Sequence, residues 1–440
     1  MNSNSRKNWM AGMSVFLVLG IGHFLTLLGS AMTRFAFGVW TFETTGRVQD
    51  FATVLVIGFL PGILLSPLVG VWIDRKGPRL MVLAGDLIGA LAMATVLPAV
   101  LADSFTYPHL LIITAVLSCA SALQGPAMPA LIPTIVPEAK VAQANGFFTS
   151  LTAASDVLGP VLAGILLTMG ALPVVVGFDL ITFGAAILIT LVLWAKLATG
   201  AAAGGAEAGG EQSSMGRELR EGWRYLMSGK PLMYLVMLFA FVNFGIAFLG
   251  VLVPPFTLTM GTAQDFGFVN GAWGLGMVLG GLIMTIWKTG ARKIPLILWS
   301  IFLFGAAIAA GGFARIPLLL GFAVGTASLI IPIVNTLVVT LLQVKSKPSH
   351  LGRVFAMARM MAWISMPVGQ VLAGFLADSQ LVANAQAMLP DWLLGTGKHG
   401  VYGLMLLCTG TFLILTIAGF SRVKSLSTLD EEGPLEAEVA

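Results

Sequence analysis

Charge is scarce in this chain, and cysteine scarcer. Only 10% of its 440 residues are Asp, Glu, Lys or Arg, against about 25% in a soluble domain, which excludes water-soluble enzymes and nucleic-acid binders. Lys and Arg number 24 and Asp and Glu 20, a net charge of +4, too thin an excess to face a polyanion. The two cysteines, Cys119 and Cys408, lie inside apolar runs and offer neither a disulfide framework nor metal-ligand spacing. No Gly-x-x-x-x-Gly-Lys-Ser/Thr occurs, since Gly395-Thr-Gly-Lys398 lacks the earlier glycine, and there is no His-Glu-x-x-His or Gly-x-Ser-x-Gly. The expectation is a non-enzyme with no cofactor and no metal, not driven by ATP through this chain.

Apolar sequence is what the chain has in abundance. Hydrophobic residues make up 57% and mean hydropathy is +0.93. At about 20 apolar residues per membrane helix, the length allows roughly a dozen spans. The apolar runs are continuous rather than alternating, which excludes a membrane β-barrel. Breaks at charged and Pro/Gly-rich stretches place spans near 10–38, 51–73, 79–101, 108–130, 141–168, 171–195, 232–257, 266–287, 294–313, 316–343, 351–377 and 400–420. The first apolar run, from Met10 to beyond Met32, is too long for a signal-peptide core and lacks an Ala-x-Ala break, so it is expected to remain as the first helix.

Positive charges alternate from gap to gap. Both termini and the even-numbered gaps hold nineteen Lys and Arg, from Arg6 and Lys7 to Arg422 and Lys424, whereas the odd gaps hold Arg47, Arg315 and Lys398. That asymmetry places both termini in the cytoplasm and supports twelve spans. Trp9, Trp40, Trp72, Trp194, Trp287 and Trp392 fall near span ends, as interfacial anchors do.

The organisation expected is all-α, with twelve transmembrane helices in two pseudo-symmetric six-helix bundles, residues 1–195 and 231–424. Between them, 196–230 is a cytoplasmic linker: an Ala/Gly tract, then a charged stretch whose Leu219, Trp223 and Leu226 have the spacing of an amphipathic surface helix. Residues 425–440, acidic and without a basic residue from Asp430 on, read as a disordered tail. Val161-Leu-Ala-Gly-Ile-Leu166 recurs as Val371-Leu-Ala-Gly-Phe-Leu376, an offset of 210 residues. The match falls in the fifth and eleventh spans, where two six-helix repeats require it.

Between the second and third spans stands Gly70-Val-Trp-Ile-Asp74-Arg75-Lys76-Gly77-Pro78-Arg79. Gly70 permits close helix approach, Gly77 a tight turn, and Asp74 can accept from a helix N-terminus or an arginine. The pattern resembles the loop signature of the major facilitator superfamily, Gly-x-x-x-Asp-Arg-x-Gly-x-Arg. Read as a cytoplasmic gate, it comprises Gly70, Asp74, Arg75, Gly77 and Arg79, with Asp86 and Arg353 as further members. The basic residues alone would satisfy the positive-inside rule; the Gly and Asp spacing is not required by it.

In the fifth span, Ser155-Asp156-Val-Leu-Gly159-Pro160-Val-Leu-Ala163-Gly164 looks like the Gly-Pro signature of the superfamily's exporters, with Ser155 and Ala163 replacing two glycines. Its functional core is Gly159, Pro160 and Gly164, a bendable, closely packed segment. The chain as a whole resembles the drug:proton antiporter branch that contains macrolide-efflux proteins and the enterobactin exporter. Thr33-Arg34-Phe35-Ala36-Phe37, Pro126-Ala-Met-Pro-Ala-Leu-Ile-Pro133, Asn145, and Gly352-Arg353-Val354-Phe355 with Pro367, Gly369, Gly374 and Asp378 carry the likeness. It implies a twelve-helix fold and proton-driven export. The fourth span lacks that branch's Arg-x-x-x-Gly pattern, Ser121 standing where the arginine would be.

Ionisable residues at membrane depth are costly and are site candidates by default. Asp156, roughly 22 Å along its helix, is the leading proton carrier; a fixed pair with Arg34 or Arg359 is the competing reading. His23 and Asp179 are the other proton-coupling candidates, against packing and capping roles. Arg34 and Glu43 are placed towards the outer end as a gate or anion entry. Asn243, Asn335 and Arg359 are candidate cavity residues, the asparagines grouped with Phe241, Phe244 and Met357. The reading that emerges is a monomeric, multi-pass protein of the bacterial inner membrane. It would be a secondary exporter of a drug-like compound or siderophore by proton antiport and alternating access. A lysophospholipid or other lipid transporter and a transporter-fold membrane sensor are the alternatives. Small-molecule substrate, protons and the bilayer are its expected partners, and nucleic acid is not.

Overall fold

The computed structural model describes residues 3–136, 141–194, 230–287, 292–345, 351–423, 426 and 428–430. Only the backbone is described for residues 3–14, 66–67, 70–71, 74, 133, 141–142, 230, 343, 351–357, 359–360, 363 and 428. The linker 196–229, its expected amphipathic helix and the tail beyond 430 lie outside the described residues.

Backbone N–H and C=O groups find no water in hydrocarbon, so an apolar span must satisfy them within itself, and it does so as a helix. Six long helices come first: α1 (Ser3–Thr45), α2 (Val48–Lys76), α3 (Pro78–Leu101), α4 (Tyr107–Ile135), α5 (Val141–Thr168) and α6 (Leu172–Val192). Beyond the linker follow α7 (Lys230–Leu258), α8 (Ala263–Ile286), α9 (Ile294–Gly311), α10 (Pro317–Lys345) and α11 (Leu351–Ala377). Two short helices, α12 (Gln380–Ala387) and α13 (Asp391–Leu394), precede α14 (Gly397–Phe420). Among the described residues eleven helices are long and apolar enough to cross a membrane; α11 contributes a shorter apolar stretch, Ile364–Ala377.

Local chemistry sets the breaks. Proline opens α3, α4, α6, α9 and α10 within the first two positions, where its missing N–H costs nothing. Gly77, at φ 83°, makes the one-residue turn between α2 and α3. Thr262 and Asp265 form a reciprocal capping box at the start of α8.

The helices cluster into two compact units, residues 1–45 with 54–210, and residues 46–53 with 211–440. In the first unit α1 packs against α5 and α6, and α3 against α4 and α6. In the second, α7 packs against α11, and α9 against α10 and α14, the same pairing one repeat later. Side-chain detail repeats as well. A methyl on Gly159 would lie 2.6 Å from the Ala31 Cβ, and one on Gly369, 210 residues on, 2.9 Å from the Ala247 Cβ. Ala163 and Ala373, at the same offset, are both fully buried. The recurrent Val-Leu-Ala-Gly segment therefore marks one packing element used twice, a small-residue contact between the first and fifth helices of each repeat.

Three features differ from expectation. The first helix runs seven residues past the expected end at 38. The gap after α11 carries α12 and α13; Arg315 donates to the carbonyls of Asp391 and Trp392, and Gln386 to that of Gly395, bonds invisible to a hydropathy scan. The tail does not begin at 425: Leu426 and Leu429 are buried. Asp430 accepts from the N–H groups of Lys293 and Ile294 at 2.7 and 3.1 Å, supplying α9 with the capping acceptor its own N-terminus lacks. Within the second unit, too, the first residues of α2 are held by polar bonds. Asp378 accepts from the Gln49 N–H at 2.8 Å, and Lys398 donates to the Gly46 carbonyl at 2.7 Å.

Candidate polar site on α1, α5 and α6

Three ionisable groups converge in the first unit. Helices α1 and α5 run in the same sense, each an odd-numbered span. Arg34 lies eleven residues before the end of α1 and Asp156 twelve before the end of α5. At similar depth they meet, Arg34 Nη2 standing 3.6 Å from Asp156 Oδ1. Both side chains are about 60% exposed, so they face open space rather than the helix packing. Gly159, one turn after Asp156, permits the approach: a methyl there would also crowd the Ala31 carbonyl carbon and the Met32 nitrogen, each at 3.2 Å.

On its other side α1 meets α6. Ser30, Thr33 and Arg34, at i, i+3 and i+4, form a polar stripe on an otherwise apolar helix. Asp179 of α6 is fully buried. The Ser30 hydroxyl donates to its Oδ1 at 3.3 Å, and the Thr33 hydroxyl lies beside the carboxyl short of hydrogen-bond geometry. The other oxygen, Oδ2, is buried with no hydrogen-bond partner among the described residues. Gly29 makes the crossing possible, since a methyl there would lie 2.7 Å from Asp179 Oδ1 and Thr182 Oγ1. Arg34 acts electrostatically on Asp156 and Asp179 alike. One guanidinium thus serves a site with two carboxylates, in ion-pair contact with Asp156 and, among the described residues, with no such contact to Asp179, and the group carries a negative charge in excess unless it binds a proton.

The remaining expected residues are distributed as follows. Arg34 stands eleven residues before the end of the longer first helix, level with Asp156. Glu43 is exposed near that end, beside the exposed Thr44. His23, eleven residues before Arg34, packs its ring 5.5 Å from that of Phe148. Asp86 is buried and accepts from Gln124 of α4 at 2.7 Å, while Arg79 spans away to the Trp194 carbonyl at 3.3 Å and stacks 4.4 Å over its ring. The structure therefore separates Asp86 from the basic turn with which it was grouped, because two helical turns carry it into the α3–α4 contact. Arg75 and Lys76 are exposed beside Gly77. Gly70, Asp74, Arg353, Met357 and Arg359 lie outside the described side chains. Pro160 and Gly164 are buried within α5. Asn243 is buried and satisfies its own helix, donating to the Phe239 carbonyl at 2.8 Å. Phe241 and Phe244 pack on Phe412, and Asn335 is exposed on α10. Ser30, Thr33 and Gln124 were not singled out from the sequence; a polar stripe at helical spacing on an apolar helix is the signal that reveals the first two.

Residues 19–369 match the sequence pattern of the Major Facilitator Superfamily. The chain is 26% identical to macrolide efflux protein A of Streptococcus pyogenes over 368 residues, covering 82% of this chain and 89% of that protein. It is 27% identical to the multidrug efflux pump Tap of Mycolicibacterium fortuitum over 387 residues, 83% and 90% of the two chains. In fold it is similar to an inward-facing, unoccupied bacterial homologue of the human lysosomal transporter Spinster, with TM-score 0.70, 14% identity and coverage of 97% and 99%. A bacterial homologue of the iron transporter ferroportin gives TM-score 0.67 at 15% identity, covering 93% and 99%. Twelve long helices among the described residues, in two like-paired units, a Gly-Asp-Arg-Gly-Arg turn after the second, and a match over most of the length agree: the chain belongs to the Major Facilitator Superfamily, as a multi-pass membrane transporter and not an enzyme.

Proposed function

We propose that this transporter is a secondary exporter of small amphipathic molecules, drug-like compounds or siderophores, exchanging them for protons by alternating access. The observation that carries the reading is the grouping of two carboxylates and one arginine on α1, α5 and α6, the arginine paired with the first carboxylate. Asp156 is exposed and held by Arg34, whereas Asp179 is buried with one oxygen unbonded. Leaving a buried carboxylate ionised without full hydrogen bonding is costly, so a proton in this group is favoured whenever Arg34 serves Asp156. A cationic or polar substrate group reaching Asp156 would compete for the same charge, and substrate and proton would then occupy the site in turn. The relatives named for macrolide and multidrug efflux support export as the direction.

Proton-gradient-driven uptake into inverted membrane vesicles tests this reading. Asp156→Asn keeps size and hydrogen bonding but removes the charge, and it is expected to abolish gradient-driven transport at least tenfold while leaving substrate exchange down its own gradient. Gradient-driven transport at the wild-type rate in a well-folded Asp156→Asn protein would overturn Asp156 as the carrier. Loss in Asp179→Asn alone would move the proton to that residue.

The orientation with both termini cytoplasmic, in a bacterial inner membrane, belongs to the same proposal and rests on the charge alternation. So does an inner gate at Asp74, Arg75 and Arg79, in which the Asp74 carboxylate would close the face by a charge-assisted contact.

A further inference from the structure

A cleft in the second unit takes no part in the exchange just described. It holds about 520 Å³ between α8 and α10, a volume typical of small-molecule sites. Glycines create it. Gly276 and Gly280 rest directly on the α10 backbone, a methyl at the first striking Ser328 and the Gly325 carbonyl and one at the second the Leu329 carbonyl. The close helix approach at Gly276, Gly321 and Gly325 forms the floor of a slot, with Phe268 and Leu275 on one rim and Leu318 and Phe322 on the other, all exposed. These rims are apolar, and both helices qualify as membrane spans.

Helices α8 and α10 begin at the same membrane face, because α9 crosses back between them. From Asp265 to Leu279 the cleft follows α8 for fourteen residues, about 21 Å at 1.5 Å per residue. One leaflet of the hydrocarbon core is about 15 Å deep. The slot therefore crosses a whole leaflet, starting at its surface, as a single acyl chain does. Asp265 is the one charged residue lining it, in the first turn of α8 and therefore at headgroup level. Its Oδ2 is engaged by the Thr262 N–H and hydroxyl at 2.7 and 3.0 Å, and Asp265 brings a negative charge to the lining of the cleft. An anionic headgroup would meet repulsion there, and an ammonium would meet an acceptor.

We infer that the α8–α10 cleft is a binding site for one phospholipid with a primary-amine headgroup, its acyl chain in the glycine-floored slot and its ammonium at Asp265. The inference rests on membrane placement alone and stands or falls separately from proton exchange.

Native mass spectrometry of the purified protein, equilibrated with equal amounts of phosphatidylethanolamine and phosphatidylglycerol of matched chains, reads it directly. The wild type is expected to retain one lipid tightly, with at least threefold preference for phosphatidylethanolamine. Asp265→Asn, whose amide oxygen can still serve the capping box, should keep the lipid and lose the preference. Gly321→Leu fills the slot; its Cβ has ordinary contacts at 3.8 Å from Val269 and 3.9 Å from Ala272, and this variant should lose the lipid. Should it fold poorly, Thr326→Phe fills the same cleft and is read the same way. Equal lipid retention in a folded slot-filling variant, or a wild type that retains phosphatidylglycerol as readily, overturns the site.

Discussion

Arg34 is the residue on which the polar site turns. It balances Asp156 at 3.6 Å and acts on Asp179 behind it, so its removal leaves two carboxylates with no cation described beside them. Arg34→Gln is expected to destroy gradient-driven transport as fully as Asp156→Asn. A partial return of folding yield should appear when Asp156→Asn is added, because the uncompensated charge is then gone; additive losses in the pair would argue against coupling. Asp86 behaves differently. Its bond to Gln124 lies within the α3–α4 packing, so Gln124→Leu should lower thermal stability by about 1–3 kcal/mol equivalent, the cost of orphaning a buried polar group. Transport per folded molecule should change little, and a large transport defect at unchanged stability would assign Asp86 to the cycle instead.

At the scale of helices, the glycine contacts repeated 210 residues apart control approach. Gly159→Leu would drive a branched side chain into Ala31 and the α1 backbone, overpacking that costs about 1–3 kcal/mol and moves Asp156 away from Arg34. Ala163→Gly, by contrast, should perturb only packing. Comparing cysteine crosslinking between α1 and α5 in the two variants checks the order. Helix identities were legible from hydropathy because a membrane leaves one solution for an apolar run, and expected and observed spans agree closely along the chain. Helix ends were less legible. The extension of α1 to Thr45 passes through Trp40, Glu43 and the threonines beside it, residues that look like a loop and are helical because polar side chains at the interface cost nothing. The Arg34–Asp156 pair is legible as one of two readings, since the sequence leaves Arg34 and Arg359 both open as partners of Asp156 and only the packing of α1 on α5 selects Arg34. Asp179 was named as well, but the hydroxyls facing it belong to a different helix, and nothing in a linear pattern says which face of α1 turns to α6.

For the molecule as a whole, the charge alternation predicts topology. Tags at residue 205 and at residue 395 should be reached by membrane-impermeant reagents from opposite sides, 205 from the cytoplasm; detection of both from one side would sink the twelve-span arrangement. Asp74→Asn should raise labelling of cysteines placed on the cytoplasmic half of α2, and unchanged labelling with normal transport would remove the inner gate.

The cap that Asp430 places on α9 also orders events in time. The acceptor and the helix start it serves are 137 residues apart, so at ribosomal rates of about 5–20 residues per second α9 waits on the order of ten seconds for its last bonds. Until then the Lys293 and Ile294 amides stay with water, and the bundle is threaded but unfastened. A message cut short after residue 424 would deliver every span to the bilayer and still yield a transporter whose ninth helix frays at its first turn. Synthesis of the segment that carries Asp430 is thus a late step in the assembly of the second unit, set by a contact and not by hydropathy.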